Sequence, residues 1–161
     1  MNRSEILEGI RDRIGKENLF SGNSFRRGRC SVNLTGVSES NRVVVDLDKV
    51  FPSGQEGENQ CECVLFYFDD VGNFVVIPME LKGGSNVDAS QAARQLKSGA
   101  AFAIDYTPRG VKNICRPILF CRSISTAEVE RLKKPQSQVP FGGKSFEIKT
   151  ARCGRKLADV L

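Results

Sequence analysis

Residues 61–82 read Cys-Glu-Cys-Val-Leu-Phe-Tyr-Phe-Asp-Asp-Val-Gly-Asn-Phe-Val-Val-Ile-Pro-Met-Glu-Leu-Lys, and no other stretch constrains the fold as much. β-Branched and aromatic residues flank a cluster of turn formers, which predicts two antiparallel strands joined tightly. A hairpin symmetric about Val71 sets Glu62 opposite Glu80, with their side chains on one face at roughly 5 Å between Cβ atoms. Lys82 shares that face, because strand side chains repeat every two residues. The face continues as Val64, Phe66 and Phe68 against Phe74, Val76 and Pro78. The other face carries Cys61, Cys63, Leu65 and Tyr67 against Val75, Ile77, Met79 and Leu81. Apolar residues on both faces require cover on both sides, so the hairpin is expected at the centre of a sheet with its charged end at a rim. Facing carboxylates repel unless a cation lies between them. Two acids and a lysine at one end of an apolar hairpin outline a divalent-metal site.

The 161 residues predict a single domain over 1–161. No apolar run approaches the ~20 residues of a membrane span, and the polar start Met1-Asn2-Arg3-Ser4-Glu5 does not resemble a signal peptide. The expectation is a soluble, cytoplasmic protein with no membrane association. The net charge is +5, with the excess gathered at Arg26, Arg27 and Arg29, at Lys133 and Lys134, and at Arg152, Arg155 and Lys156. Such patches favour a polyanion, nucleic acid above all.

Histidine is absent, which removes Ser-His-Asp and Cys-His hydrolases and histidine-ligated zinc enzymes. Catalysis in this chain has to run on carboxylates, lysine, hydroxyls, cysteine or metal-bound water. The six cysteines, at 30, 61, 63, 115, 121 and 153, are expected to be reduced in a chain of this kind, four of them as small buried hydrophobes in strands. A zinc module built from Cys30, Cys61, Cys63 and Cys153 is the alternative use for them.

Along the chain, residues 2–14 predict a helix capped by Asn2, with Glu5 completing a capping box. Residues 18–36 read as loop, and Phe25-Arg26-Arg27-Gly28-Arg29 as a phosphate-contacting loop. A strand is expected over 42–51 with Asp46 and Asp48 on one face, then a loop over 52–59. After Gly83-Gly84, Asp88 caps a helix over about 89–103 on which Gln91 and Gln95 are neighbours. A strand over 111–122, a short helix opened by Ser125 and Glu128 and ended by Pro135, and a last strand over 145–150 complete the chain.

Glu62, followed by Met79-Glu80-Leu81-Lys82 and a glutamine-bearing helix, resembles the PD-(D/E)XK nuclease superfamily over roughly residues 42–122. The resemblance implies an α/β fold with a small central mixed sheet flanked by helices, in the restriction-endonuclease-like αβββαβ order. It implies that Glu62 and Glu80 bind Mg²⁺ or Mn²⁺, that Lys82 assists the attacking water, and that Gln95, or else Gln91, supports the site. The expected activity is hydrolysis of phosphodiester bonds in DNA, with Arg26, Arg27 and Arg29 contacting the strand and a homodimer or protein partner as further options. The chain departs from the family pattern at its first acid, a glutamate between cysteines where aspartate after proline is usual; Asp46, Asp48 or Asp70 are the substitutes. The alternative function is a catalytically inactive relative that uses the same surface to bind nucleic acid or a partner.

Overall fold

The computed structural model describes residues 1–52 and 60–161. In chain order its elements are helix α1 (Arg3–Ile14), strands β1 (Ser24–Arg27), β2 (Cys30–Asn33) and β3 (Arg42–Asp46), the one-turn helix α2 (Leu47–Val50), strands β4 (Cys63–Phe68) and β5 (Phe74–Lys82), and helix α3 (Ala89–Ile104). Strands β6 (Asn113–Cys115) and β7 (Ile118–Cys121), helix α4 (Thr126–Leu132), strands β8 (Val139–Phe141), β9 (Lys144–Phe146) and β10 (Lys149–Arg152), and helix α5 (Leu157–Val160) follow.

The central hairpin has the expected register. Cys63 pairs with Met79 and Phe68 with Phe74, so the strands are symmetric about Val71. Asp69 closes the turn: its Oδ1 accepts from the backbone N–H of Val71 at 3.1 Å and of Asn73 at 2.8 Å. Gly72 supplies a φ of 91°, which a residue with a Cβ rarely adopts.

The sheet runs β10-β7-β5-β4-β3, with β6 also on β5. Strands β3, β4 and β5 form an antiparallel meander, while β7 is parallel to β5 and β10 parallel to β7. The protein is thus a mixed α/β structure built on a mixed sheet flanked by helices. The strand expected over 111–122 is two pieces, β6 and β7, that hold one register along β5 on either side of a gap. In that register Pro78 and Pro117 fall opposite one another, and neither has an N–H to give the ladder.

Both sheet faces are covered, as the apolar pattern required. On one lie α1 and α3, with Leu7, Ile10, Ala92, Leu96, Ala100 and Ala103 packed on Val43, Val45, Val64, Phe66, Phe74 and Val76. On the other lie the β1–β2 hairpin and α5, with Phe25, Val32, Leu157 and Val160 packed on Val44, Leu65, Ile77, Met79 and Phe120. The helix starts follow the sequence: Asn2, Asp88 and Ser125 each accept a backbone N–H three residues on.

Several expectations need correction. The segment 18–36 is not mostly loop but contains β1 and β2, because Phe25, Cys30 and Val32 reach the core. The strand expected over 42–51 stops at Asp46, whose Oδ1 accepts from Asp48 N–H at 3.1 Å and turns the chain into α2. The last strand expected over 145–150 is divided between β9 and β10, which belong to different sheets. Cys30 and Cys153 are disulfide-bonded rather than reduced, joining β2 to the residue after β10; Cys61, Cys63, Cys115 and Cys121 are free and buried. That bond removes Cys30 and Cys153 from the zinc set. The loop expected over 52–59 lies, apart from Pro52, outside the described residues. No helix among the described residues is long and apolar enough to cross a membrane.

Candidate functional site

Glu62 does not take its expected place opposite Glu80: the register ends at Cys63–Met79, and Glu62 doubles up with Cys63 against Met79 as a bulge. The Glu62 N–H donates to Met79 O at 3.0 Å and its carbonyl accepts from Leu47 N–H at 3.1 Å. Side-chain alternation breaks there. Cys63 faces the cluster of Leu65 and Met79, but Cys61 packs with Val64 and α3, on the face opposite the one its spacing predicted.

Glu80 points to the α3 face and is 1% exposed. Its Oε2 lies 2.9 Å from Lys82 Nζ, which is partly exposed. The ion pair lacks hydrogen-bonding geometry, and neither Glu80 oxygen has a hydrogen-bond partner among the described residues. Burial pushes the Glu80 carboxyl up to about 7, against the opposing pull of Lys82. Gln95 is also buried, with Oε1 unpartnered. It lies one turn before Gly99, where a Cβ would stand 3.3 Å from Pro78 Cβ and 2.3 Å from Cys61 Sγ. Since α3 returns antiparallel to β5, Gln95 is over the Glu80 end of that strand. Gln91, its helical neighbour, is exposed.

The other acids gather on a residue that spacing gave no reason to place there. Arg27, at the end of β1, directs its guanidinium onto Asp46, and its Nε lies 2.9 Å from both Asp48 Oδ2 and Glu62 Oε2. Its Cζ stacks 4.6 Å over the Phe25 ring. Burial opposes the Arg27 charge, but Asp46, Asp48 and Glu62 together outweigh it and raise its pKa. Glu62 goes the other way. Burial first, then Asp48, pushes its carboxyl above the usual range despite Arg27 and Lys82, because one guanidinium is shared among three carboxylates.

The expected residues therefore form two adjoining groups: Glu80 and Lys82 with Gln95 at the α3 face, and Glu62 with Arg27, Asp46 and Asp48 at the rim. Lys82 is near enough to Glu62 to favour its charged form. Arg26 and Arg29 are exposed beside Arg27. Asp70 is at the hairpin turn, the far end from Glu80. Among the described residues no group of three or more acids and cysteines is arranged to hold a metal ion. Burial keeps Cys61 and Cys63 protonated, with pKa values well above that of a free thiol, so neither is a nucleophile at neutral pH.

Asp46 and Asp48, expected together on one strand face, are instead brought together across the cap of α2, which ends the strand. Asp46-Leu47-Asp48 after a run of three valines is a helix-cap signal that could have revealed it. The grouping on Arg27 left no local signal at all.

No protein-family model, curated protein or solved structure matches the chain.

Proposed function

We propose that the chain is a metal-dependent nuclease hydrolysing phosphodiester bonds of DNA. The observation that carries this reading is Glu80, a buried carboxylate whose Oε2 is ion-paired with Lys82 at 2.9 Å while its Oε1 has no partner among the described residues. Buried acceptors without donors are costly, and a cation from outside the chain would relieve them. Hard oxygen donors suit Mg²⁺ or Mn²⁺, and Mg²⁺ is held in many phosphoryl-transfer sites by one or two carboxylates plus waters and substrate oxygens. Glu80 and Glu62 would hold the ion. When bound, it would offset phosphate charge and lower the pKa of a coordinated water from 15.7 towards ~7.

The rest falls to this chain's own side chains. Lys82, partly exposed at the rim, places a positive charge where negative charge develops on the phosphate, and orients the attacking water. Gln95 Oε1 is a free acceptor for that water. Glu62 joins the site when its carboxylate leaves Arg27, and a phosphate group is the natural exchange partner for that guanidinium. With β1, β2, α2 and β6 set aside as additions, the remaining elements α1, β3, β4, β5, α3 and β7 run in a sequence compatible with the αβββαβ order implied by the resemblance to PD-(D/E)XK nucleases, and the parallel β5–β7 pair across α3 supports the reading.

A specific observation favours a second reading. Arg27 supplies to Asp46, Asp48 and Glu62 the positive charge that a metal would otherwise bring, as expected of a catalytically inactive relative that binds nucleic acid or a protein partner. Incubating supercoiled plasmid, single-stranded DNA and RNA with the protein in Mg²⁺ or Mn²⁺, beside Lys82→Ala and an EDTA control, decides between them. Cutting that requires metal and Lys82 supports the nuclease. Binding without cutting supports the inactive relative.

A further inference from the structure

Strands β5, β7 and β10 are parallel neighbours, and their carboxyl ends finish level: Lys82 pairs with Cys121, and Cys121 with Arg152. A groove of about 470 Å³ opens just beyond, lined by Arg122, Ser123, Ile124, Thr150, Arg152 and Arg155 among others. Gly83, Gly84 and Ser85 meet Arg122 and Ser123 in an adjoining depression, so the groove continues to the residue after Lys82. Arg29 backs onto this junction, where a Cβ on Gly83 would stand 3.1 Å from the Arg29 backbone nitrogen.

Among the described residues, no acidic residue lines either depression. Arg29, Arg122, Arg152 and Arg155 are all exposed. Among the described residues none of the four makes an ion pair, although seven ion pairs form elsewhere. Guanidinium groups left without carboxylates, with two serine hydroxyls and a glycine-glycine backbone among them, make a surface rich in donors and positive charge. Clefts beyond the carboxyl ends of parallel strands are also where open α/β sheets bind ligands.

We infer that this groove is the seat of a nucleic-acid backbone, with Arg122, Arg152 and Arg155 each holding a phosphate of a strand that passes from β10 across Gly83-Gly84 to Lys82. The inference rests on the nucleic-acid part of the proposed function and not on cleavage. It extends the basic surface beyond the Arg26–Arg29 loop, which meets the groove at Arg29, and gives the strand a path towards Glu80. The contacts are to phosphates, so they position the strand without reading its sequence.

The test is fluorescence anisotropy of labelled oligonucleotides, roughly 16 nucleotides long to cover an ordinary single-strand site. Wild type, Arg122→Gln/Arg152→Gln/Arg155→Gln, the matching triple Lys variant and a Lys133→Gln/Lys134→Gln control are compared in EDTA, so that no cutting intervenes. Each lost phosphate contact reduces the slope of log K against log salt by about 0.7–0.9, so the Gln triple is expected to lower it by about 2 to 3 and weaken binding at least tenfold at low salt. The Lys triple keeps the slope, because the salt term counts charges, and the control behaves as wild type. Circular dichroism and an unchanged melting temperature establish that the Gln variant is folded. Equal affinity and slope in wild type and the Gln triple would overturn the inference, as would wild type that binds anionic vesicles or inorganic phosphate but no oligonucleotide. Binding through the groove by a protein that never cuts DNA sinks the nuclease reading and leaves this one standing.

Discussion

Glu80 Oε2 lies 2.9 Å from Lys82 Nζ, yet burial outweighs this ion pair and pushes the carboxyl up to about 7. In the unfolded chain the same group ionises near its ordinary 4.5. Between those values the folded protein holds a proton that the unfolded chain has released, so stability falls as pH rises through this window. The loss is complete above pH 7 and amounts to about 3 kcal/mol. Glu80→Gln removes the ionisation. Urea unfolding in EDTA is expected to show the variant more stable than wild type above pH 7, with the difference shrinking to near zero below pH 4.5. A difference that does not change with pH would refute the assignment.

Among the described residues Arg27 is the only cation in ion-pair contact with Asp46, Asp48 and Glu62. The exposed Asp48 pair contributes little, but Asp46 is buried and loses its strongest donor in Arg27→Gln, at a cost of about 1–3 kcal/mol. The three carboxylates left behind are expected to bind a divalent cation more tightly than wild type does. Added Mn²⁺ should therefore raise the melting temperature of Arg27→Gln more than that of wild type, by an amount that grows with the logarithm of metal concentration. Equal metal-induced shifts would show that Arg27 does not compete for the site.

Gly99 lets α3 lie close on the sheet, with room for a Cβ taken by Cys61 Sγ at 2.3 Å and Pro78 Cβ at 3.3 Å. Gly99→Ala overpacks this contact and is expected to cost about 1–3 kcal/mol, read as a lower midpoint of thermal unfolding. Adding Cys61→Ala in the same chain recovers part of the loss. No recovery would mean that the strain lies against Pro78.

The Cys30–Cys153 bond spans a sequence separation of 123 residues and ties the hairpin that carries Arg27 to the end of β10. Reduction, or Cys30→Ser with Cys153→Ser, is expected to destabilise the fold by about 2–4 kcal/mol. A thiol count on unfolded, unreduced protein should give four, rising to six after reductant. Six from the start would show that the bond does not form.

The hairpin of residues 63–79 determined its own register, and only Cys61 and Glu62 fell out of it. Alternating apolar faces resist a slip of one residue, and the Asp69–Asn73 turn pins the centre at Val71. The helix starts at Asn2, Asp88 and Ser125 were equally legible, because a cap bonds a neighbour only three residues away. From the same local pattern came the placement of Glu80, Lys82 and Gln95 near one rim.

Tertiary structure alone decided the rest. Arg27, Asp46 and Glu62 come from parts of the chain that no short-range rule brings together, so a guanidinium expected to contact phosphate is also shared among three acids. Cys30 found Cys153 only because β2 packs on the sheet face beside the end of β10. Arg122, Arg152 and Arg155 became one groove because parallel pairing leaves the ends of β5, β7 and β10 level. Local sequence sets which face a side chain takes along a strand, whereas charge partners far apart in the chain are set by how the strands are ordered in space.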